Sequence, residues 1–224
     1  MIFAPAANGT AAPCVVRGMK NSWTGGETLG PPPDMAREAL ALSIHRRQEG
    51  ALERLIQLFE TPLFNYSQRL LDNASDAQEV VQDTFLRAHR AITHQYDEAR
   101  CAALALRPWL FRIARNLCFN RRRSRSASSM EPLQAFDDGR MGPFVQPVTS
   151  ELERREEMAQ LDRALSQLPL EARELIVLRF IEEMSYAEIS STTGSNEASL
   201  RGKVFRSLKL LRSALETRGA AHAM

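Results

Sequence analysis

The sequence predicts an all-α protein of two small helical domains joined by a flexible linker. Apolar residues recur at the three- and four-residue spacing of amphipathic helices in two blocks, residues 35–125 and 151–218. Neither block shows the alternation of apolar and polar residues that indicates strands. The 224 residues, 44% of them hydrophobic, suffice for one sizeable core or two small ones. The break between the blocks favours two.

Two segments rich in proline, glycine and serine separate the helical blocks from the rest of the chain. Residues 1–34 hold five prolines and five glycines without a helical period, and we expect a disordered N-terminal extension. Met35 directly follows, so the extension is expected to be a dispensable leader or the product of a start codon placed too early. Residues 126–150 predict a flexible linker, which as a coil would separate its ends by roughly 25–30 Å.

The first block begins with three predicted helices. Residues 35–72 predict two of them, with Gly50 at the joint and Pro62 at a bend or a fresh start. For the third, Ser75 is expected to cap the helix while the side chain of Gln78 reaches back to it. Its core face then carries four apolar residues at helical spacing: Val81, Phe85, Ala88 and Ile92.

The fourth helix of the block contains the segment "PWLFRIARNLCFNRRRSR", residues 108–125. Its predicted buried face consists of Leu110, Ile113, Ala114 and Leu117, and Trp109 is expected in the core because burial is the commoner use of an aromatic side chain. Phe111 and Phe119 fit either the core or the stacking of a nucleic acid base. The segment itself is compatible with a basic tail on a core helix, a membrane-surface helix or a nucleic acid platform.

The second block predicts four shorter helices, over residues 151–167, 171–182, 185–192 and 196 to about 216. Ser185 and Glu188 form a capping box, Gly194 supplies a turn, and Asn196 is positioned to cap the last helix. A short helix, a glycine-containing turn and a second helix with basic outward residues are typical of a helix-turn-helix. The predicted inward residues of the last helix are Leu200, Val204, Leu208 and Leu211.

Positive charge is concentrated in two places although the net charge of the chain is only +2. Residues 107–125 hold seven arginines and no carboxylate, and residues 196–212 hold five basic residues against Glu197 alone. Two basic patches on a nearly neutral chain predict two contacts with a polyanion.

Several other classes of protein lack support in the sequence. There is no nucleophile–base pair, phosphate-binding loop or cluster of metal ligands, so neither an enzyme nor a cofactor is expected. His89 and His94 are five residues apart and fall on different faces of a helix. The three cysteines form no CxxC pair, which favours a reducing cytoplasm. No apolar run approaches the roughly 18 residues of a membrane span, and no signal peptide is recognised.

Three motifs in order carry a family resemblance. The segments "DAQEVVQDTFLRAHRAI", "RPWLFRIARNLCFNRRR" and "LSQLPLEARELIVLRFIEEMSYAEIS" resemble bacterial RNA polymerase sigma factors of the small extracytoplasmic-function (ECF) type, which have only sigma domains two and four. The resemblance covers about residues 36–125 and 155–216. It implies a transcription initiation factor that is cytoplasmic and not an enzyme.

The resemblance assigns a role to each block. Residues 35–125 correspond to sigma domain two, which recognises and melts the minus-ten promoter element, and residues 151–218 to sigma domain four, which reads the minus-thirty-five element. The predicted minus-ten contacts are Arg112, Arg115, Asn116, Phe119, Arg121 and Arg122. The predicted minus-thirty-five contacts are Asn196, Glu197, Ser199, Arg201, Lys203 and Arg206.

Partners also follow from the resemblance. Core RNA polymerase is expected to bind through its β′ clamp helices and its β flap, with Gln82, Asp83 and Arg87 as docking residues for the clamp helices. Promoter DNA and an anti-sigma factor are the other expected partners, and membrane insertion is not expected. The rival hypothesis is a stand-alone helix-turn-helix regulator, which would leave the first block without a role.

Overall fold

The computed structural model describes residues 34–128 and 149–222, and all regular structure within these two ranges is helical. The all-α prediction is confirmed. The predicted extension and most of the predicted linker lie outside the described residues. In chain order the helices are α1 (Asp34–His45), α2 (Ala51–Leu71), α3 (Ala74–His94), α4 (Glu98–Ala102), α5 (Leu106–Ser128), α6 (Thr149–Ser166), α7 (Leu170–Ile176), α8 (Tyr186–Thr193) and α9 (Glu197–His222).

Helices α1–α5 form the N-terminal domain, in which α2, α3 and α5 pack against one another. The α2 residues at helical spacing are buried, and so are the α3 residues predicted to face inward. Burial of each large apolar side chain stabilises the fold by about 1.5–3 kcal/mol. The buried α2 and α3 residues are Leu55, Phe59, Leu63, Tyr66, Leu70, Val81, Phe85, Ala88 and Ile92.

The start of α2 agrees with the prediction, and its course decides against one of the two alternatives at Pro62. Gly50 precedes the helix with a φ of 74°, a left-handed conformation that glycine adopts without strain. Of the bend or fresh start expected at Pro62, the fresh start is wrong, since α2 runs through that residue to Leu71. The continuous buried face from Leu55 to Leu70 outweighs the roughly 3 kcal/mol that an interior proline costs a helix.

The N-terminal cap of α3 is Asn73 and not Ser75, which corrects the predicted capping box. Asn73 has an extended backbone, and its side-chain Oδ1 accepts a hydrogen bond of 2.9 Å from the amide of Asp76. Ser75 and Gln78 are both exposed on the helix surface. The cap lies two residues earlier than predicted and the helix begins at Ala74, which places Ser75 within the first turn, where it cannot act as the cap.

Helices α6–α9 form the C-terminal domain, which contains the predicted helix-turn-helix. The capping box of α8 is confirmed, because Ser185 Oγ accepts from the Glu188 amide and the Glu188 side chain accepts from the Ser185 amide. Gly194 turns the chain with a φ of 72°. Asn196 Oδ1 then accepts a hydrogen bond of 2.9 Å from the amide of Ala198 at the start of α9.

The helix predicted over residues 171–182 is instead α7 followed by a π-helical turn, Val177–Ile181. The wider turn is closed by a hydrogen bond of 2.9 Å from the Glu182 amide to the Val177 carbonyl. It leads into a chain reversal that buries Met184 completely. On α9 the predicted inward residues Leu200 and Val204 are buried, as is Leu211, whereas Leu208 is half-buried.

The two domains lie in contact and share a continuous apolar cluster. Helix α8 packs on α5, while α6 and α7 approach α2. The Thr192 hydroxyl of α8 donates a hydrogen bond of 3.3 Å to the Pro108 carbonyl of α5. The first helix of the helix-turn-helix therefore covers part of the helix that carries the first basic patch.

The observed cap of α3 is testable by two neighbouring substitutions. Asn73→Ala should lower the free energy of unfolding by about 1 kcal/mol, because it removes the hydrogen bond to the Asp76 amide. The matched control Ser75→Ala should change it by less than about 0.5 kcal/mol, as is usual for an exposed position. Urea denaturation followed by circular dichroism measures both, and a larger loss in Ser75→Ala would contradict the assignment.

Candidate nucleic-acid and polymerase interfaces

On the outer face of α5, Arg112 is open to solvent. Arg112 is exposed, and among residues 34–128 and 149–222 it has no ion-pair partner. Asn116, one turn further along the helix, is also exposed. These two side chains lie together on an accessible polar face, which is where the sequence places minus-ten contacts.

Arg115 lies on the same helix but is held by the C-terminal domain. Its Nε donates a hydrogen bond of 2.8 Å to Glu174 Oε1, and its guanidinium lies 4.3 Å from the centre of the Phe119 ring. The same Glu174 oxygen accepts a hydrogen bond of 2.9 Å from the Tyr66 hydroxyl. Glu174 is only 2% exposed, so the carboxylate has exchanged water for these two donors.

Arg121 and Arg122 are tied to the junction between α2 and α3. Arg121 Nη2 lies 2.6 Å from Glu79 Oε2, and Arg122 Nη1 donates a hydrogen bond of 2.6 Å to the Leu70 carbonyl. Asp72 lies 3.4 Å from the same Arg122 nitrogen. The segment 107–125 itself holds no carboxylate, but other helices supply acidic partners to these arginines.

The aromatic residues of α5 divide between the core and its edge. Phe111 is fully buried and meets the Tyr66 ring edge-on, with the ring centres 5.2 Å apart. Base stacking by Phe111 is thereby excluded in this arrangement. Trp109 is half-buried and packs against the core beside Tyr96, and Phe119 is half-buried beneath the Arg115 guanidinium.

The minus-thirty-five residues predicted on α9 are mostly exposed. Arg201 lies with its guanidinium 5.3 Å from the centre of the Tyr186 ring, and Arg206 is exposed next to Gly202. Lys203 is half-buried, with its Nζ 3.5 Å from Ser195 Oγ, and so projects less than the sequence suggested. The remaining predicted residues are exposed: Asn196, Glu197 and Ser199.

Among the described residues, the two most exposed large apolar side chains, Phe205 and Leu86, were not predicted from the sequence. Phe205 of α9 is 59% exposed and lies 4.8 Å from Lys209 Nζ, and Leu86 of α3 is 56% exposed. Leu86 lies among the three predicted docking residues, all of them exposed: Gln82, Asp83 and Arg87. Both residues are apolar but lie off the apolar face of their helix. This mismatch was the signal in the sequence that could have predicted their exposure.

The described cysteines are poorly placed for redox chemistry. Cys101 and Cys118 are both buried and unpaired. Burial raises the pKa of the Cys118 thiol to about 12, and the reactive thiolate is correspondingly disfavoured.

Comparison with known proteins accounts for both domains. The Sigma-70 region 2 family matches residues 55–128, and the Sigma-70 region 4 family matches residues 158–211. ECF RNA polymerase sigma factor SigL of Mycobacterium tuberculosis is 32% identical over 163 residues, which are 70% of this chain and 84% of SigL. The chain belongs to the ECF RNA polymerase sigma factors. This sigma factor acts in transcription initiation, as the resemblance implies.

Other relatives of the sigma factor extend the comparison. ECF RNA polymerase sigma factor SigM of Bacillus subtilis is 27% identical over 168 residues, which are 75% of this chain and 96% of SigM. The solved structure of CnrH, in complex with the cytosolic domain of CnrY, superposes with a TM-score of 0.57 at 25% identity, covering 82% of this chain and 97% of CnrH. Within the described residues of the sigma factor, no helix is long and apolar enough to cross a membrane.

The buried carboxyl of Glu182 predicts a pH-dependent stability. It lies 3.9 Å from Arg107 Nη2 and is 8% exposed, and burial raises its pKa to about 7. Below about pH 7 the protonated form is therefore favoured in the folded chain, and above it the carboxylate that pairs with Arg107. The stability that protonated Glu182 adds to the folded chain is fully present below the pKa of this group in the unfolded chain, about 4.5. It is lost as the pH rises through 7. The difference between the two pKa values corresponds to about 3 kcal/mol in the free energy of unfolding.

Glu182→Gln should flatten the pH dependence of the unfolding free energy between about pH 4.5 and 7, because the amide does not titrate. Urea denaturation at a series of pH values measures this slope. Glu171→Gln, which removes an exposed carboxylate of α7, should keep the wild-type slope. Equal slopes in Glu182→Gln and the wild type would show that Glu182 does not titrate in this range.

Proposed function

We propose that the N-terminal domain of the sigma factor binds and stabilises the melted minus-ten strand through the outer face of α5. The C-terminal domain then reads the minus-thirty-five element with α9. The observation that carries the proposal is that each domain has one basic helix face. Arg112 is exposed on α5, and Arg201 and Arg206 are exposed on α9. Arginine contacts phosphates in single strands and base edges in the major groove.

The remaining predicted minus-ten residues fit two different roles. Arg112 and Asn116 are available for a strand without rearrangement. Arg115 and Phe119 become available when the contact with Glu174 opens, since Arg115 then loses its carboxylate partner. Arg121 and Arg122 keep the end of α5 against α2 and α3, and their remaining N–H donors can still face a phosphate.

Core RNA polymerase is proposed to dock on the exposed face of α3. Leu86 supplies an apolar centre there, and Gln82, Asp83 and Arg87 supply a polar rim. An apolar centre with a charged rim is the usual anatomy of a protein interface. The clamp helices of β′ are the proposed partner of this face, and the β flap is the proposed partner of the C-terminal domain.

An anti-sigma factor is a further proposed partner, as the family resemblance implies. The similar structure of CnrH, solved in complex with the cytosolic domain of CnrY, supports binding of a protein partner. We place the sigma factor in the cytoplasm and assign it no catalytic reaction of its own, since the polymerase carries out the chemistry. A stand-alone helix-turn-helix regulator is not favoured, because the Sigma-70 region 2 family matches residues 55–128, which such a regulator would not need.

The role of α9 is tested by alanine substitution of its exposed arginine. Arg201→Ala should weaken binding at the minus-thirty-five element by about 1–3 kcal/mol if the side chain contacts a base edge, and by less if it contacts a phosphate. The measurement is footprinting of the holoenzyme on a promoter obtained by reconstituted transcription of genomic fragments. Arg212→Ala, further along α9, is the matched control. An unchanged footprint in both Arg201→Ala and Lys203→Ala would remove α9 from promoter recognition.

The role of α5 is tested by separating strand opening from binding. Arg112→Ala should reduce permanganate reactivity of minus-ten thymines on duplex promoters, because one contact to the open strand is lost. The deficit should shrink on a template already mispaired in this region. The slope of log affinity against log salt for single strands should flatten by about 0.7.

Arg54→Ala, an exposed arginine of α2, should behave as the wild type in these assays. If Arg112→Ala opens duplex promoters as well as the wild type does, the exposed arginine belongs to a solvated face and the proposed role of α5 is wrong.

A further inference from the structure

Adjacent charged residues of α7 insert between helices of the N-terminal domain. Glu174 accepts hydrogen bonds from Tyr66 of α2 and Arg115 of α5. Arg173 is 2% exposed, and its Nη1 lies 2.7 Å from Asp72 Oδ2 and 2.9 Å from the Arg69 carbonyl at the end of α2. A cation is favoured there because the last carbonyls of a helix carry partial negative charge.

A second set of carboxylates from the C-terminal domain faces the beginning of α5. Arg107 Nη2 lies 3.9 Å from Glu182 Oε2, and Arg107 Nη1 lies 3.6 Å from Glu188 Oε1. Arg107 also donates a hydrogen bond to the Glu182 carbonyl. Two of the α5 arginines, Arg107 and Arg115, therefore have carboxylate partners in the C-terminal domain.

These carboxylates occupy positions that a nucleic acid strand would require. A carboxylate and a phosphate both accept charge-assisted hydrogen bonds from a guanidinium, so one arginine donor cannot serve the two at full strength at the same time. The Glu174 oxygen sits directly on Arg115 Nε, and α8 covers the start of α5 at Pro108. While the domains are closed, Glu174 therefore competes with a strand phosphate for Arg115 Nε and offsets the positive charge of this side chain.

We propose that the contact centred on Glu174 is an autoinhibitory latch, in which carboxylates of the C-terminal domain take the place of strand phosphates on α5. The inference rests on the proposed role of the α5 arginines in strand binding. In the closed state Arg115 is withheld from DNA, and the strand-binding face becomes complete only when α7 and α8 move away. In the closed state, free sigma factor therefore binds single strands more weakly than it would with Arg115 accessible.

The chemistry of the contact suits a latch that opens. Buried ionic contacts add little net stability, since desolvation of the charges offsets most of their attraction. Removal of one partner is strongly unfavourable for the closed state, because the other charge stays buried without compensation. Loss of a single charge at Glu174 should therefore shift the equilibrium towards the open state while each domain keeps its own core.

The test uses the full-length chain without polymerase and a fluorescein-labelled oligothymidylate of about twelve nucleotides as the strand. Glu174→Gln keeps the volume of the side chain and a carbonyl acceptor for Tyr66 but removes the charge that faces Arg115. Its affinity, measured by fluorescence anisotropy, should increase about tenfold or more, since a charge-assisted hydrogen bond changes an equilibrium by such a factor. The radius of gyration from small-angle X-ray scattering should increase in parallel.

Two further variants distinguish opening of the latch from an effect on folding. Asp72→Asn removes the partner of Arg173 on the N-terminal side, and asparagine tolerates the left-handed backbone of this position, where φ is 55°. It should also tighten strand binding and expand the chain. Glu156→Gln removes an exposed negative charge from α6 and should leave both measurements at the wild-type value. Circular dichroism confirms the helical content of each variant.

The result that overturns the latch is wild-type strand affinity in both Glu174→Gln and Asp72→Asn, whether or not the chain expands. Arg112→Ala, made in the wild type and in Glu174→Gln, separates this failure from failure of the proposed function. If Arg112→Ala weakens strand binding while Glu174→Gln does not tighten it, α5 binds the strand and the latch is wrong. If Arg112→Ala has no effect in either background, the proposed strand-binding face is wrong and the latch falls with it.

Discussion

The buried carboxylate of Glu174 is the interaction on which the arrangement of the two domains depends. An ionised carboxyl removed from water is strongly unfavourable unless hydrogen-bond donors replace its hydration. Here one oxygen accepts both from the Tyr66 hydroxyl and from Arg115 Nε. Because the three side chains belong to α7, α2 and α5, the carboxylate can be buried with its hydrogen bonds satisfied only when these helices meet in one relative position. The apolar contacts around them are less selective about orientation.

Helix α5 combines three functions on three faces, and this explains how a strongly basic helix can belong to a stable domain. One face is apolar and buried, with Leu110, Phe111 and Ala114 in the core. A second face consists of arginines that form ion pairs with carboxylates of other helices. The third face, with Arg112 and Asn116, is exposed. The number of arginines in the segment therefore overstates the positive charge available to a polyanion.

The two basic patches differ in how far the folded chain neutralises them. On α5 the carboxylates of α3 and α7 and the C-terminus of α2 reduce the field around Arg115, Arg121 and Arg122. On α9 the first turns keep Arg201 and Arg206 exposed, with an aromatic ring beside Arg201 rather than a carboxylate. A nearly neutral chain can thus present one open basic helix and one that is partly covered. Electrostatic attraction of DNA should begin at the open one.

The sequence by itself determined the helical class, the two domains, the helix-turn-helix and most of the inward faces. These features depend on local periodicity and on turn residues within a few positions, such as Ser185 with Glu188 and Gly194. Its motifs also identified the family. At α3 the local signal was misleading: Ser75 was predicted as the cap, whereas the structure has Asn73 in that position.

Tertiary structure alone decided which charged residues are available. Glu174 and Tyr66 are 108 positions apart, and nothing in the local pattern of either residue points to the other. Periodicity predicts that a side chain faces inward or outward, but it does not predict which distant helix covers an outward face. Arg112 and Arg115 were therefore equivalent in the sequence and differ in the structure. The physical reason is that an ion pair requires two side chains within a few ångströms, a condition that only the packing of whole helices can set.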